Sequence, residues 1–161
     1  MPKSIRDRII EFLVDVGLHV EERELLIPTF LPGISVNAGA LVFDPKKLVY
    51  PGDLLHEAGH LAVTPKSDRC LLAGDVGADG GLEMGAIAWS YAAIVHLGLP
   101  AEVLFHSGGY KGGAASLCES FRTGRYVGVP ILVWRGMTDD DQTGASEGAT
   151  HYPAMKKWLC D

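Results

Sequence analysis

The sequence predicts a single α+β domain, residues 1–161, built on two central helices and a small β-sheet. The helices are expected at residues 52–64 and 82–97, where apolar residues form one face of the first segment and fill most of the second. Residues 39–44, GALVFD, are predicted to form a strand of the sheet. A chain of 161 residues is long enough for one hydrophobic core.

Weaker patterns predict the remaining elements. Residues 4–18 have apolar residues at helical spacing, with Ser4 as a candidate N-cap and Gly17 as the end of the helix. Asp53 is a candidate N-cap for the first central helix. The other segments are predicted as irregular (27–38), a loop with turns (67–81), one or two helical turns (101–106), a glycine-rich link (107–113), a helix (114–124), a strand (126–134), an acidic loop (135–150) and a short helix (153–161).

Composition and charge restrict the possible partners. The chain has 20 acidic and 14 basic residues, a net charge of −6, which argues against a nucleic-acid partner. The longest apolar segment, residues 86–99, is too short to cross a bilayer, so no membrane partner is expected. Cys70, Cys118 and Cys160 share no CxxC spacing, and charges interrupt the amino terminus before any apolar run. We therefore expect a cytoplasmic protein without a disulfide framework.

The pattern HEAGH, within the first central helix, is the strongest indication of a functional site in the sequence. His56 and His60 are four positions apart, so on a helix both imidazoles can point at one metal ion. Glu57 follows His56 directly, where it can reach a water on the metal and act as its base. Gly59, without a side chain, would let another segment approach the helix closely. The alternative is a pair of hydrogen-bonded histidines without a metal.

A catalytic zinc ion usually has three protein ligands, so a third is required. Glu83 is the preferred candidate, because it begins the second central helix within small and apolar neighbours, where a carboxylate needs a cation. Packing that helix across the first would bring Glu83 near both histidines. The alternative role is an acidic residue in a first helical turn, which the helix dipole favours. The other candidates for the third ligand are Asp75, Asp79, His96, His106 and His151.

Two pairs of residues are candidates to stabilise an oxyanion during hydrolysis. His106 and Tyr110 flank the start of the glycine-rich link, and His151 and Tyr152 lie near the end of the chain. Simple packing in the core or at the surface is the alternative for each pair.

The motif HEAGH, followed downstream by ExxAxAWSYAA, resembles the gluzincin metallopeptidases and, more closely, the minimal zincins. The resemblance covers about residues 39–95 and implies a minimal zincin-like fold, in which the HExxH helix and the Glu-bearing helix pack with a small sheet. It further implies that Glu57 is the catalytic base and that one Zn²⁺ is held by His56, His60 and Glu83.

Three positions differ from the larger metallopeptidase families. Val63 and Lys66 stand where metzincins have a glycine and a histidine, which excludes that class. Ile87 stands where the thermolysin-like pattern has an aspartate that orients a histidine. The partner of that histidine must therefore come from elsewhere, with Asp75, Asp79 or a backbone carbonyl as candidates.

These inferences predict a zinc-dependent hydrolase, most simply a metallopeptidase that cleaves a peptide or small amide substrate with a metal-activated water. The alternative function is a catalytically inactive metal-binding zincin scaffold that acts as a regulatory or binding module. A hydrolase of non-peptide amides is a third possibility, and the sequence leaves the oligomeric state open.

Overall fold

Two helices packed against each other form the centre of the fold: α2 (Gly52–Val63) and α4 (Gly80–Leu97). The computed structural model describes residues 1–74, 80–139 and 148–161. Both helices were predicted within two residues of their observed limits. Almost all of α2 is buried, and α4 buries small and aromatic side chains along its middle.

A missing side chain explains how closely the two central helices pack. A Cβ atom on Gly59 would lie 2.7 Å from the carbonyl oxygen of Ala86 in α4. Real Cβ atoms do not approach backbone oxygen so closely, so only glycine permits this contact. The prediction that Gly59 allows the close approach of another segment is confirmed.

The sheet has three strands, β1 (Val20–Glu22), β2 (Ile34–Asn37) and β3 (Ala40–Phe43), in the order β1-β3-β2. β3 is parallel to β1, antiparallel to β2 and buried along its whole length. The strand predicted at residues 39–44 is thus confirmed. The prediction that residues 27–38 are irregular is wrong for β2, which pairs with β3 across a two-residue turn of Ala38 and Gly39 with positive φ.

Helix α1 (Ile5–Asp15) precedes the sheet and was predicted correctly. The hydroxyl of Ser4 accepts a hydrogen bond of 3.1 Å from the backbone N–H of Asp7, which confirms the predicted N-cap. The helix buries Ile9, Phe12 and Leu13 against the core.

The segment after α2 begins with a single helical turn, α3 (Lys66–Arg69), within the stretch predicted as a loop. Residues 75–79 of that predicted loop, and 140–147 of the predicted acidic loop, lie outside the described residues. After α4, residues 101–103 form one 3₁₀ turn, which fits the expected short helical segment.

Two predictions for the carboxy-terminal third are wrong. Residues 126–134 contain helix α6 (Val129–Trp134) after α5 (Ala114–Arg122), whereas a strand was predicted. A short apolar run rich in Val and Ile is compatible with either element. Pro130 in the first turn suits a helix start, and α6 packs on α4.

The final segment, predicted as a short helix, is irregular in the structure. Its backbone instead forms hydrogen bonds with residues of the two central helices. The indole N–H of Trp89 donates to the carbonyl of Trp158 at 2.8 Å, and the N–H of Cys160 donates to the carbonyl of Ala62 at 2.8 Å. These long-range hydrogen bonds take the place of hydrogen bonds within a helix of the final segment. A local sequence pattern cannot reveal such distant partners.

The described residues therefore form a mixed α and β fold, with six α-helices and a small mixed sheet. Within this part of the chain, no helix combines the length and the apolar character that a bilayer span requires.

Candidate metal centre

Helix α2 brings two histidines and a glutamate together. His56 and His60 lie one turn apart, with ring centroids separated by 5.0 Å, and His60 is only 2% exposed. Candidate ligand atoms of His56, Glu57 and His60 all lie within 4.8 Å of one another. These three residues could hold a metal ion.

A carboxylate from the other central helix meets both imidazoles. Oε1 of Glu83 lies 3.1 Å from Nε2 of His56, and Oε2 lies 2.7 Å from Nε2 of His60. Glu83 occupies the first turn of α4, three residues before the close contact between Ala86 and Gly59. The tight packing of the helices is therefore what puts this carboxylate within reach of the histidines.

The charges of the three side chains affect one another. Burial alone would lower the pKa of His56, but the hydrogen bond and charge of Glu83 outweigh burial and raise that pKa. Burial alone would raise the pKa of Glu83, but contact with His56 and His60 outweighs it and lowers the pKa far below the usual 4.5. The carboxylate is thus charged at neutral pH and favours a positive charge between itself and the imidazoles.

The fit of a metal ion can be judged from His60. Its Nε2 atom is buried and has no hydrogen-bond partner among the described residues, although Oε2 of Glu83 is only 2.7 Å away. The contact is therefore electrostatic and lacks the direction of a hydrogen bond. An unsatisfied buried nitrogen is costly. Two imidazole nitrogens and a carboxylate oxygen form a donor set that suits zinc, so the residues fit such an ion.

Tyr110 contacts the other side of the His56 ring. Its hydroxyl oxygen lies 3.3 Å from Nδ1 of His56, and the two rings meet edge to face. Burial, with smaller effects from Asp53 and Glu83, raises the pKa of Tyr110 far above its usual value, so the hydroxyl stays protonated. Such a contact orients the imidazole ring.

Tyr110 was not predicted as this partner. It was predicted only as a candidate to stabilise an oxyanion, and that role stays a prediction. The partner of the histidine was expected to be Asp75, Asp79 or a backbone carbonyl. Both aspartates lie outside the described residues. The signal in the sequence was the glycine-rich link itself, which indicates an unusual backbone path around Tyr110. In the structure Tyr110 and Lys111 adopt left-handed backbone conformations, with φ of 56° and 52°.

His106 is bound to a different carboxylate. Its Nε2 lies 2.6 Å from Oδ1 of Asp53, and its ring stacks on Tyr50 at 3.7 Å. The prediction that Asp53 caps α2 is wrong, because Pro51 occupies the N-cap position and the Asp53 side chain pairs with His106.

The remaining candidate ligands lie in other surroundings. The ring of His96 packs against Phe12 and Trp158. His151 forms a backbone bridge with Asp139, and the hydroxyl of Tyr152 donates to the carbonyl of Ala88 at 2.6 Å. His96, His151 and Tyr152 do not line the cavities that border the histidines in the described part of the chain.

Open space lies beside the cluster of His56, His60, Glu57 and Glu83. Two adjoining cavities of about 380 and 510 Å³ share five lining residues: Phe30, His56, Glu83, Tyr110 and Lys111. The cluster therefore borders cavities of the size that small-molecule sites have.

A search of known proteins identifies no relative. No protein-family model, no curated protein and no solved structure matches this chain at a significant level. The likeness to zincins therefore rests on the HExxH pattern and on the positions of these side chains.

Proposed function

We propose that the protein is a zinc-dependent hydrolase, most simply a metallopeptidase, that cleaves a peptide or amide bond. One observation carries this proposal: both histidine Nε2 atoms lie within 3.1 Å of a single carboxylate, contributed by a different helix. His56, His60 and Glu83 would hold the ion. When bound, such an ion lowers the pKa of a water molecule and polarises a carbonyl group.

Glu83 rather than Glu57 is the proposed third ligand because it comes from the other central helix and its carboxylate contacts both imidazoles, at 3.1 and 2.7 Å. Glu57, next to His56 on the same helix, is then free to act on a water molecule. Glu57 also lines the larger cavity beside the cluster, where a substrate has access to it.

Each side chain then has a distinct task. Glu57 accepts a proton from the attacking water as the new C–O bond forms, and delivers that proton to the nitrogen as the C–N bond breaks. Tyr110 accepts a hydrogen bond from Nδ1–H of His56, which leaves Nε2 unprotonated and directed towards Glu83.

The substitution Glu57→Gln tests the proposal, with Glu119→Gln, an exposed position on α5, as the matched control. Purified wild type, loaded with one equivalent of zinc, is incubated with a mixture of peptides, and new termini are identified by mass spectrometry. Glu57→Gln should retain zinc and lose about 10²- to 10⁴-fold in cleavage rate. Glu119→Gln should match the wild type.

Zinc-loaded wild type that cleaves no substrate faster than Glu57→Gln would overturn the proposal. Retention of zinc in that case would favour the non-catalytic metal-binding scaffold.

A further inference from the structure

Glu57 also lines a separate small pocket. Its volume is about 190 Å³, and apart from Glu57 its main walls are the side chains of Ile27, Pro28, Phe30, Leu31 and Ile34. Glu57 is its one charged lining residue within the described part of the chain. We call it the apolar pocket.

We propose that the apolar pocket receives one large apolar side chain of the substrate, next to the bond that is cleaved. This inference rests on the proposed function and specifies its substrate class. An acidic side chain is excluded by the same geometry, because it would be desolvated among apolar walls and would face the carboxylate of Glu57.

The position of the apolar pocket relative to the metal cluster supports this proposal. Glu57 and Phe30 each line both the apolar pocket and the cavity that contains His56, His60 and Glu83. The two spaces therefore adjoin at Glu57, the proposed base, and at Phe30. A substrate with its scissile bond at Glu57 has a flanking side chain within reach of the apolar pocket.

The segment that forms the wall is unusually apolar for an exposed one. Leu26, Ile27 and Phe30 are 84%, 74% and 80% exposed, although they lie within five consecutive residues. Grouped apolar side chains on a surface mark a binding site more often than isolated ones do.

The same segment has a constrained backbone. Pro28 and Pro32 fix two φ angles, and the hydroxyl of Thr29 donates to the carbonyl of Leu31 at 2.5 Å. A wall that is already ordered loses little conformational entropy when it binds a ligand.

The test compares Ile27→Asp with the neighbouring Leu26→Asp. Both positions are exposed, so neither substitution disturbs the core, but only Ile27 lines the apolar pocket. The probes are dipeptide hydroxamates that differ in one side chain: leucine, phenylalanine, alanine or aspartate. Their binding to zinc-loaded protein is measured by isothermal titration calorimetry, and cleavage of the matching peptides is measured in parallel.

Wild type should bind the leucine and phenylalanine probes about 10- to 100-fold more tightly than the alanine and aspartate probes. Ile27→Asp should lose this preference, and Leu26→Asp should keep it. Equal affinity for all four probes, or equal effects of the two variants, would overturn the inference.

The two readouts separate this inference from the proposed function. Cleavage without side-chain preference contradicts the inference alone. A side-chain preference in binding without any cleavage contradicts the hydrolase proposal alone. If neither a side-chain preference nor cleavage is observed, both the inference and the hydrolase proposal are contradicted.

Discussion

Oε2 of Glu83 lies 2.7 Å from Nε2 of His60, so a carboxylate in the first turn of one central helix meets an imidazole in the last turn of the other. The contact joins residues 23 positions apart and does not have hydrogen-bond geometry. In the metal-free protein it is an electrostatic pairing whose strength depends on the charge of Glu83.

The stability of the metal-free protein should therefore depend on pH in a defined way. The lowered pKa of Glu83 gives stability that is present above its usual value of 4.5 and is lost as the pH falls further. The raised pKa of His56 gives stability that is present below its usual value of 6.5 and is lost as the pH rises through the raised pKa. The cluster should contribute most between those two values.

Urea denaturation of metal-free wild type and Glu83→Gln, from pH 3 to pH 9, measures this contribution. The difference in unfolding free energy between the two proteins should be largest near pH 5 to 6 and should shrink on either side. A difference that stays constant over the whole range would show that Glu83 and His56 are not coupled.

The affinity for zinc should change with pH in the opposite direction at the upper end of this range. The metal requires an unprotonated imidazole, so binding displaces a proton from His56 wherever that residue is charged. The affinity for zinc should rise with pH through the raised pKa, and calorimetry in buffers of different ionisation enthalpy should detect the released proton. An affinity independent of pH between 5 and 8 would contradict this expectation.

Tyr110→Phe tests the role of the tyrosine as a positioning residue. The substitution removes the hydroxyl 3.3 Å from Nδ1 of His56 and keeps the ring. We expect zinc affinity to fall by about 10-fold, at the lower end of the effect of losing such a partner, with the melting temperature of the metal-free protein nearly unchanged. Competition with a chromophoric chelator measures the affinity, and an unchanged affinity would exclude this role.

The two helices that bear the cluster could be predicted from the sequence because their signals are local. Each signal lies within the helix that it predicts: the apolar spacing, the HEAGH pattern and the run of small residues around Glu83. The approach of Glu83 to His56 and His60 was expected from helix packing, and the observed distances agree with that geometry.

Features that depend on distant partners could not be predicted. Tyr110 reaches His56 from 54 positions along the chain, and its left-handed backbone is unusual for a tyrosine. Helix α6 is set by packing on α4, and β1 has only three residues, too few to show an alternating pattern. The wall of the apolar pocket similarly lies in a segment whose sequence indicated only irregular structure.

Gly59→Ala tests whether the close packing of the central helices positions Glu83. The added Cβ would lie 2.7 Å from the carbonyl oxygen of Ala86, so the helices must separate. Overpacking costs about 1–3 kcal/mol, which exceeds the gain in helix propensity of about 1 kcal/mol. We expect a lower melting temperature and weaker zinc binding, and a variant that binds zinc as tightly as wild type would contradict this account.

The central claim is that His56, His60 and Glu83 converge on one cation. Zinc content after loading and desalting, measured by elemental analysis, tests this most directly in wild type, His60→Ala and the exposed control His19→Ala, whose side chain is 74% exposed. We predict one zinc ion per chain in wild type and in His19→Ala, and loss of that zinc in folded His60→Ala. Equal zinc in wild type and His60→Ala would contradict the claim.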